Sequence, residues 1–132
     1  VRVFRTKLFN KGAKNFQLPD TALFAVAREV FEGRYEANLG GGVIKKRIAI
    51  NGKGKRGGIR SIIFFKVGSH IFFADTWSKN DTPKSGKEID DAQLYAYRLL
   101  AETLLNLNDK QLIEMIAKNL LTEVKECEDT DE

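Results

Sequence analysis

Ile59-Arg-Ser-Ile-Ile-Phe-Phe-Lys-Val-Gly-Ser-His-Ile-Phe-Phe-Ala-Asp-Thr-Trp77 is the stretch whose reading decides the fold. Ile59–Val67 carries apolar residues on both alternation faces, the pattern of a strand buried on both sides and central in its sheet. Gly68-Ser69 is a tight hairpin signal, and Ile71–Trp77 returns as the next strand. With the turn there, paired positions sum to about 137, which sets Arg60 beside Trp77 and Lys79 beside Gly57 and Gly58.

Working outward, Val43–Ile50 is an apolar and basic strand entered through the turn Gly40-Gly41-Gly42. The glycine-rich segment Asn51–Gly58 reads as the loop that joins it to Ile59, which places Arg60 near Ala49. Towards the N-terminus, Val1–Thr6 is a short strand and Leu8–Phe16 has a helical look. Asp20 caps a helix over Thr21–Glu32, where Leu23, Val26, Ala27, Val30 and Phe31 recur at helical spacing. Beyond the sheet, Asp90 or Asp91 caps a helix carrying Leu94, Tyr97, Leu100, Ala101 and Leu104. Asn108 followed by Gln111 is a capping-box variant that opens another, with Leu112, Ile113, Ile116 and Leu120 as its stripe. The expectation is an α+β fold: a small, mostly antiparallel sheet in the order β-α-α-β-β-β, with helices on one face and additional C-terminal helices.

The 132 residues make one domain, placed at 1–122, followed by an acidic tail at 123–132 that reads as disordered. No apolar run approaches the roughly 20 residues needed to span a bilayer, and no signal peptide is visible. A single cysteine, Cys127, leaves no internal disulfide and fits a reducing cytoplasm, so the expected location is cytoplasmic. The net charge of +4 hides an asymmetry: residues 1–74 carry 15 Lys/Arg against 4 Asp/Glu, whereas 75–132 carry 7 against 14. Between Glu36 and Asp75 there is no acidic residue at all. Such a run of one sign is an electrostatic footprint for a polyanion, most often nucleic acid.

Strand pairing concentrates that charge at one end of the sheet, where Lys53, Lys55, Arg56, Arg60, Trp77 and Lys79 collect. Lys45 and Arg47 point to the face that forms the site. Lys46 falls on the opposite, core-like face and is expected at a bulge or on the sheet's rim. A basic sheet end with an indole suits single-stranded RNA, since cations hold phosphates and the aromatic can stack a base. Plain readings stand beside these: Trp77 as core, His70 as a surface residue at the hairpin, and Asp75 as a salt-bridge partner of a neighbouring cation. For the acidic tail the sharper reading folds it back over the basic sheet end, in competition with RNA.

Three segments resemble the RelE/ParE superfamily of bacterial type II toxins: Gly40-Gly-Gly-Val-Ile-Lys-Lys-Arg-Ile-Ala49, Gly54-Lys-Arg-Gly-Gly-Ile-Arg60 and Ser78-Lys79-Asn80. The chain is most similar to the RelE-type branch, and the resemblance runs through nearly its whole length. It implies an mRNA interferase, an endoribonuclease that cuts mRNA, usually on the ribosome, and is held inactive by a cognate antitoxin from the same operon. The implied chemistry needs no metal or cofactor: the ribose 2′-hydroxyl attacks the adjacent phosphorus and leaves a cyclic phosphate. Arg60 and Arg56 suit the non-bridging phosphate oxygens, because guanidinium is an always charged fork. Lys55 or Lys79, crowded by other cations, could serve as base or acid. Lys45, Lys46, Arg47 and Lys53 would bind the RNA backbone. Arg56 stands where many relatives carry a small residue, and Trp77 replaces a more usual Phe or Tyr, so no phenolic proton is available there. ParE-type relatives inhibit DNA gyrase without cutting RNA, and a degenerate member would bind only its antitoxin and operator DNA. Both remain alternatives at the level of sequence.

Overall fold

A computed structural model gives the protein's structure over residues 1–50, 54–78 and 89–125, with the backbone alone at 54–57. Six strands form one sheet in the order β2-β3-β4-β5-β1-β6. They are β1 (Val3–Thr6), β2 (Ala37–Asn38), β3 (Val43–Ile50), β4 (Gly54–Phe64), β5 (Ile71–Ser78) and β6 (Leu121–Val124). The β1–β5 pair is parallel and every other pair is antiparallel. The helices are α1 (Lys7–Gly12), α2 (Asp20–Phe31), α3 (Asp91–Leu105) and α4 (Asp109–Ala117). The fold is α+β, as the alternation and the helical stripes indicate. Among the described residues no helix is long and apolar enough to cross a membrane.

The sheet is buried on both faces, and this explains why Ile59–Phe64 is apolar at every position but Arg60 and Ser61. On one face Leu23, Ala27 and Val30 of α2 and Phe9 of α1 pack on Ile44, Ile48, Ile59, Ile63 and Phe73. The C-terminal helices cover the other face, where Tyr97, Ala101 and Leu104 of α3 and Leu112 of α4 meet Val43, Ile62, Phe64, Phe72 and Ala74. Each of these helices opens on a capping box, Asp90 with Gln93 and Asn108 with Gln111. These reciprocal bonds satisfy amides that would otherwise lack partners in the first turn.

Several boundaries differ from the expectation. α1 stops at Gly12, where the helix lies so close to β5 that a Cβ would stand 2.2 Å from the Thr76 carbonyl oxygen. Asp20 is the first helical residue and makes no cap bond; its carboxylate instead accepts the Lys125 backbone N–H and faces Arg5 at 3.6 Å. α4 ends at Ala117, and Asn119 takes a left-handed φ of 62°, so Leu120 leaves the helical stripe. The chain then runs as β6 along β1, with Leu121 opposite Thr6 and Val124 opposite Val3. Glu123 and Val124, assigned by sequence to the tail, are therefore part of the sheet. An ion pair of Arg2 with Glu123 at 2.9 Å fixes that edge.

Strand β4 begins at Gly54, not Ile59. The register of β3 against β4 shifts between Ile48 and Ile50, and Ile50 pairs with Gly54. Arg60 consequently lies opposite Arg47, two residues from the expected Ala49. Gly58 makes this close pairing possible, since a Cβ there would sit 2.1 Å from the Ile48 carbonyl oxygen. The β4–β5 register matches the expectation at its outer end, with Arg60 opposite Trp77.

Candidate nucleic-acid interface

Two transverse rows of side chains define the site, both on the face that α3 partly covers. In the outer row Arg47, Arg60 and Trp77 are direct neighbours on β3, β4 and β5. In the row behind it stand Lys45, Ile62 and Asp75. Adjacent strands lie about 4.8 Å apart, so the outer row sets two guanidinium stems and an indole within roughly 10 Å. Arg47 is exposed, Lys45 and Trp77 are half-buried, and Arg60 is only 7% exposed. Trp77 packs against the α3-side core along part of its surface, so it serves as core and as a partly open platform together.

Backbone carbonyls around the site are tied by hydroxyls. Thr76 Oγ1–H donates to the Arg60 carbonyl at 2.6 Å, and Ser61 Oγ–H donates to the Lys46 carbonyl at 2.8 Å. These bonds lie on the α2 side and hold the strand that presents Arg60 to the opposite side. At the outer edge β2 ends early, and the Glu36 carboxylate accepts the Arg47 backbone N–H at 2.8 Å.

Lys46 corrects the sequence reading. It is neither at a bulge nor on the rim but under α2, 1% exposed, with Nζ 2.7 Å from Glu29 Oε1. A buried ammonium needs a paired anion, since desolvation penalises it heavily otherwise. Lys46 is thus placed away from the face of Arg47 and Arg60, and its expected RNA contact has no geometric basis. The stretch without acids in sequence is not without acids in space: α2 brings Glu29 to it, and Glu36 caps its edge.

Lys53 and Lys79 lie outside the described residues. Lys55 and Arg56 belong to β4 by their backbone, and their side chains lie outside the description as well. His70 sits at the other end of the sheet, where Nδ1 accepts the Arg2 backbone N–H at 3.1 Å. Burial and the nearby Arg2 charge lower its pKa.

Among the described residues Asp75 does not form the cation pair expected of it; the bonds it makes there are from neutral donors. Tyr97 O–H donates to Oδ2 at 2.5 Å and the Thr76 backbone N–H to Oδ1 at 2.8 Å. Burial raises the Asp75 pKa, and these two hydrogen bonds pull it part of the way back. The Tyr97 hydroxyl is itself pushed up, by burial first and then by its bond to the carboxylate. Sequence reasoning placed Tyr97 only in a helical stripe, although a tyrosine amid Leu94, Ala101 and Leu104 does imply a buried hydroxyl in need of a partner.

A comparison with curated proteins finds no match. The family model described as the RelE toxin of the RelE / RelB toxin-antitoxin system matches residues 1–124. That span runs from the start of the chain to the last residue of β6, and the chain belongs to the RelE toxin family.

Proposed function

We propose that this toxin is an endoribonuclease that cleaves mRNA on the ribosome through 2′-hydroxyl attack and is held inactive by a RelB-type antitoxin encoded beside it. The observation that carries the reading is the row Arg47, Arg60 and Trp77, in register across three adjacent strands. An exposed cation, a buried cation and an aromatic side chain in one line match the repeat of a nucleotide: phosphate, phosphate, base.

The protein's part in the reaction is alignment and charge stabilisation. Arg60, fixed in the sheet and shielded from water, acts on the non-bridging oxygens where charge grows in the phosphorane, a setting in which a fixed cation is most effective. Arg47 and Lys45 hold the flanking backbone, a role that Lys53 shares, and Trp77 stacks a base. Arg56 assists Arg60 at the phosphate, and Lys55 or Lys79 supplies the proton to the leaving group. The reaction as written needs no metal or cofactor.

Arg60→Ala is the decisive variant. Its expected effect is loss of growth inhibition and a fall in cleavage rate of about 10²–10³-fold. Thermal unfolding and antitoxin co-purification serve as controls for folding. Mapping RNA ends after induction separates the alternatives: new cuts within codons support the nuclease. Intact messages with DNA-damage signalling would replace it with gyrase inhibition, and full toxicity of Arg60→Ala would remove this site.

A further inference from the structure

One carboxylate stands on the cationic face, and the fold goes to some length to put it there. On β5, Phe73 faces α2 and Ala74 faces α3, so simple alternation would turn Asp75 back towards α2. Instead Ile62 pairs with Asp75 while Ile63 pairs with Phe73, and Ala74 is the residue left over. This bulge gives Ala74 and Asp75 the same face, and bulges of this kind re-aim side chains next to active sites. The buried Thr6 hydroxyl donates to the Ala74 carbonyl at 2.8 Å, which fixes the bulge from β1. The Tyr97 hydroxyl and the Thr76 amide then fix the carboxylate itself.

We infer that Asp75, aimed by Tyr97, accepts the proton of the attacking ribose 2′-hydroxyl; the assignment rests on the cleavage reading above. Asp75 is two residues from Trp77 on the same face, a Cα separation of about 7 Å, and diagonal to Arg60. A nucleotide with its base on Trp77 and its phosphate at Arg60 leaves its ribose within reach of the half-buried carboxylate. After its two hydrogen bonds, each carboxylate oxygen still has a lone pair to accept another. Burial makes this carboxyl a better proton acceptor than an exposed one, since it holds its proton to higher pH.

The charged and titratable groups around it are Tyr97 and Asp90 on the α3 side, Arg60 on β4, and Lys45 and Arg47 on β3. Thr6 on β1 is not titratable. Asp109 of α4 and Glu123 of β6 act on Arg2 and His70 at the other end of the sheet. In the step itself the 2′-oxygen gives its proton to Asp75 as the O2′–P bond forms and the P–O5′ bond breaks. The departing 5′-oxygen takes the proton that the cleavage reading assigns to Lys55 or Lys79; that lysine is reprotonated from water, and the Asp75 proton returns to solvent to restore the balance. The products are a 2′,3′-cyclic phosphate and a 5′-hydroxyl.

The test is the pH dependence of cleavage by the purified full chain on mRNA-programmed ribosomes. Wild type should show an acid limb; Asp75→Asn should cut at least about 10²-fold more slowly and lose that limb, and Asp75→Glu should recover part of the rate. Tyr97→Phe should move the acid limb to higher pH, because the carboxylate loses a donor bond that favours its ionised form. A purely structural role would lower the rates without moving the limb, which would overturn the inference. So would wild-type cleavage and an unchanged limb in Asp75→Asn; if that variant fails to fold, an unmoved limb in Tyr97→Phe overturns it equally. Wild type that leaves RNA intact overturns the cleavage reading and this assignment with it. Wild type that cuts beside an equally active Asp75→Asn overturns the assignment alone.

Discussion

Thr6→Val isolates the device on which the site is built. The Thr6 side chain is 7% exposed, and its hydroxyl makes two bonds. It accepts the Phe9 backbone N–H at 3.0 Å, as the N-cap of α1, and donates to the Ala74 carbonyl at 2.8 Å. Valine keeps the shape and removes both. Loss of a threonine cap costs about 1 kcal/mol, and a buried carbonyl deprived of a donor costs about 1–3 kcal/mol. The two share one atom and do not simply add; with some return from burying a methyl group, the net loss is about 2–3 kcal/mol. For a domain of this size that lowers Tm by roughly 6–12 °C. Urea denaturation should show a lower midpoint at constant slope, since the variant and wild type expose the same surface on unfolding. Thr6→Ser keeps both hydrogen bonds and loses one methyl, so it should cost only about 1 kcal/mol. A valine variant within about 0.5 kcal/mol of wild type, or a serine variant as unstable as the valine one, would refute this account of the bulge.

Further tests concern the cations and the carboxylate. Lys45→Ala and Arg47→Ala should each lower the salt dependence of RNA binding by about 0.7 in log–log slope, one phosphate contact apiece, while Lys46→Met should leave that slope unchanged. A Lys46 effect equal to that of Arg47 would contradict its burial against Glu29. Stability should also depend on pH through Asp75. Its carboxyl is raised above the ordinary 3.8, so the folded state keeps this proton to higher pH than the unfolded chain. The Asp75 contribution to stability therefore falls as pH rises from 3.8 through the folded value. Asp75→Asn should gain stability relative to wild type over that interval in chemical denaturation, and a difference independent of pH would contradict the burial of the charge.

The parts of the fold that depend on local pattern were readable from the chain. Strands β3 and β5, β4 from Ile59 onward, the hairpin that pairs Arg60 with Trp77, and the capping box at Asn108 all follow from neighbours in sequence. What escaped depends on partners far along the chain. Glu29 turns Lys46 from a surface cation into a buried ion pair, and no periodicity on β3 reveals which lysine a helix acid will meet. The bulge at Ala74 reverses the face of Asp75 through a bond from Thr6, 68 residues away. β6 was missed because it is four residues long with only Leu121 and Val124 apolar, and it is pairing with β1 that makes it a strand. In the candidate site, Arg60, Arg47, Lys45 and Trp77 were legible as charge and register, whereas Tyr97 looked like one more core residue.

β6 also sets the distance that the acidic tail would have to cover to reach the cations. Val124 pairs with Val3, which pairs with Ile71, so the chain leaves the sheet at the start of β5. Trp77 lies six residues further along that strand, about 20 Å away, and Arg60 lies three strands across from β6, about 14 Å. The straight path from the end of β6 to Arg60 is therefore about 25 Å. The eight residues 125–132, of which 126–132 lie outside the described structure, span at most roughly 26–29 Å when fully drawn out. Reaching the site would need a nearly taut chain, with close to the largest loss of conformational freedom and length left to bring only the last carboxylates to the cations. Truncation after Lys125 should accordingly leave RNA affinity at low salt unchanged. A marked strengthening would instead revive the competition of tail with RNA and place the bound nucleotide nearer the Val3–Ile71 end of the sheet than Arg60 and Trp77 put it.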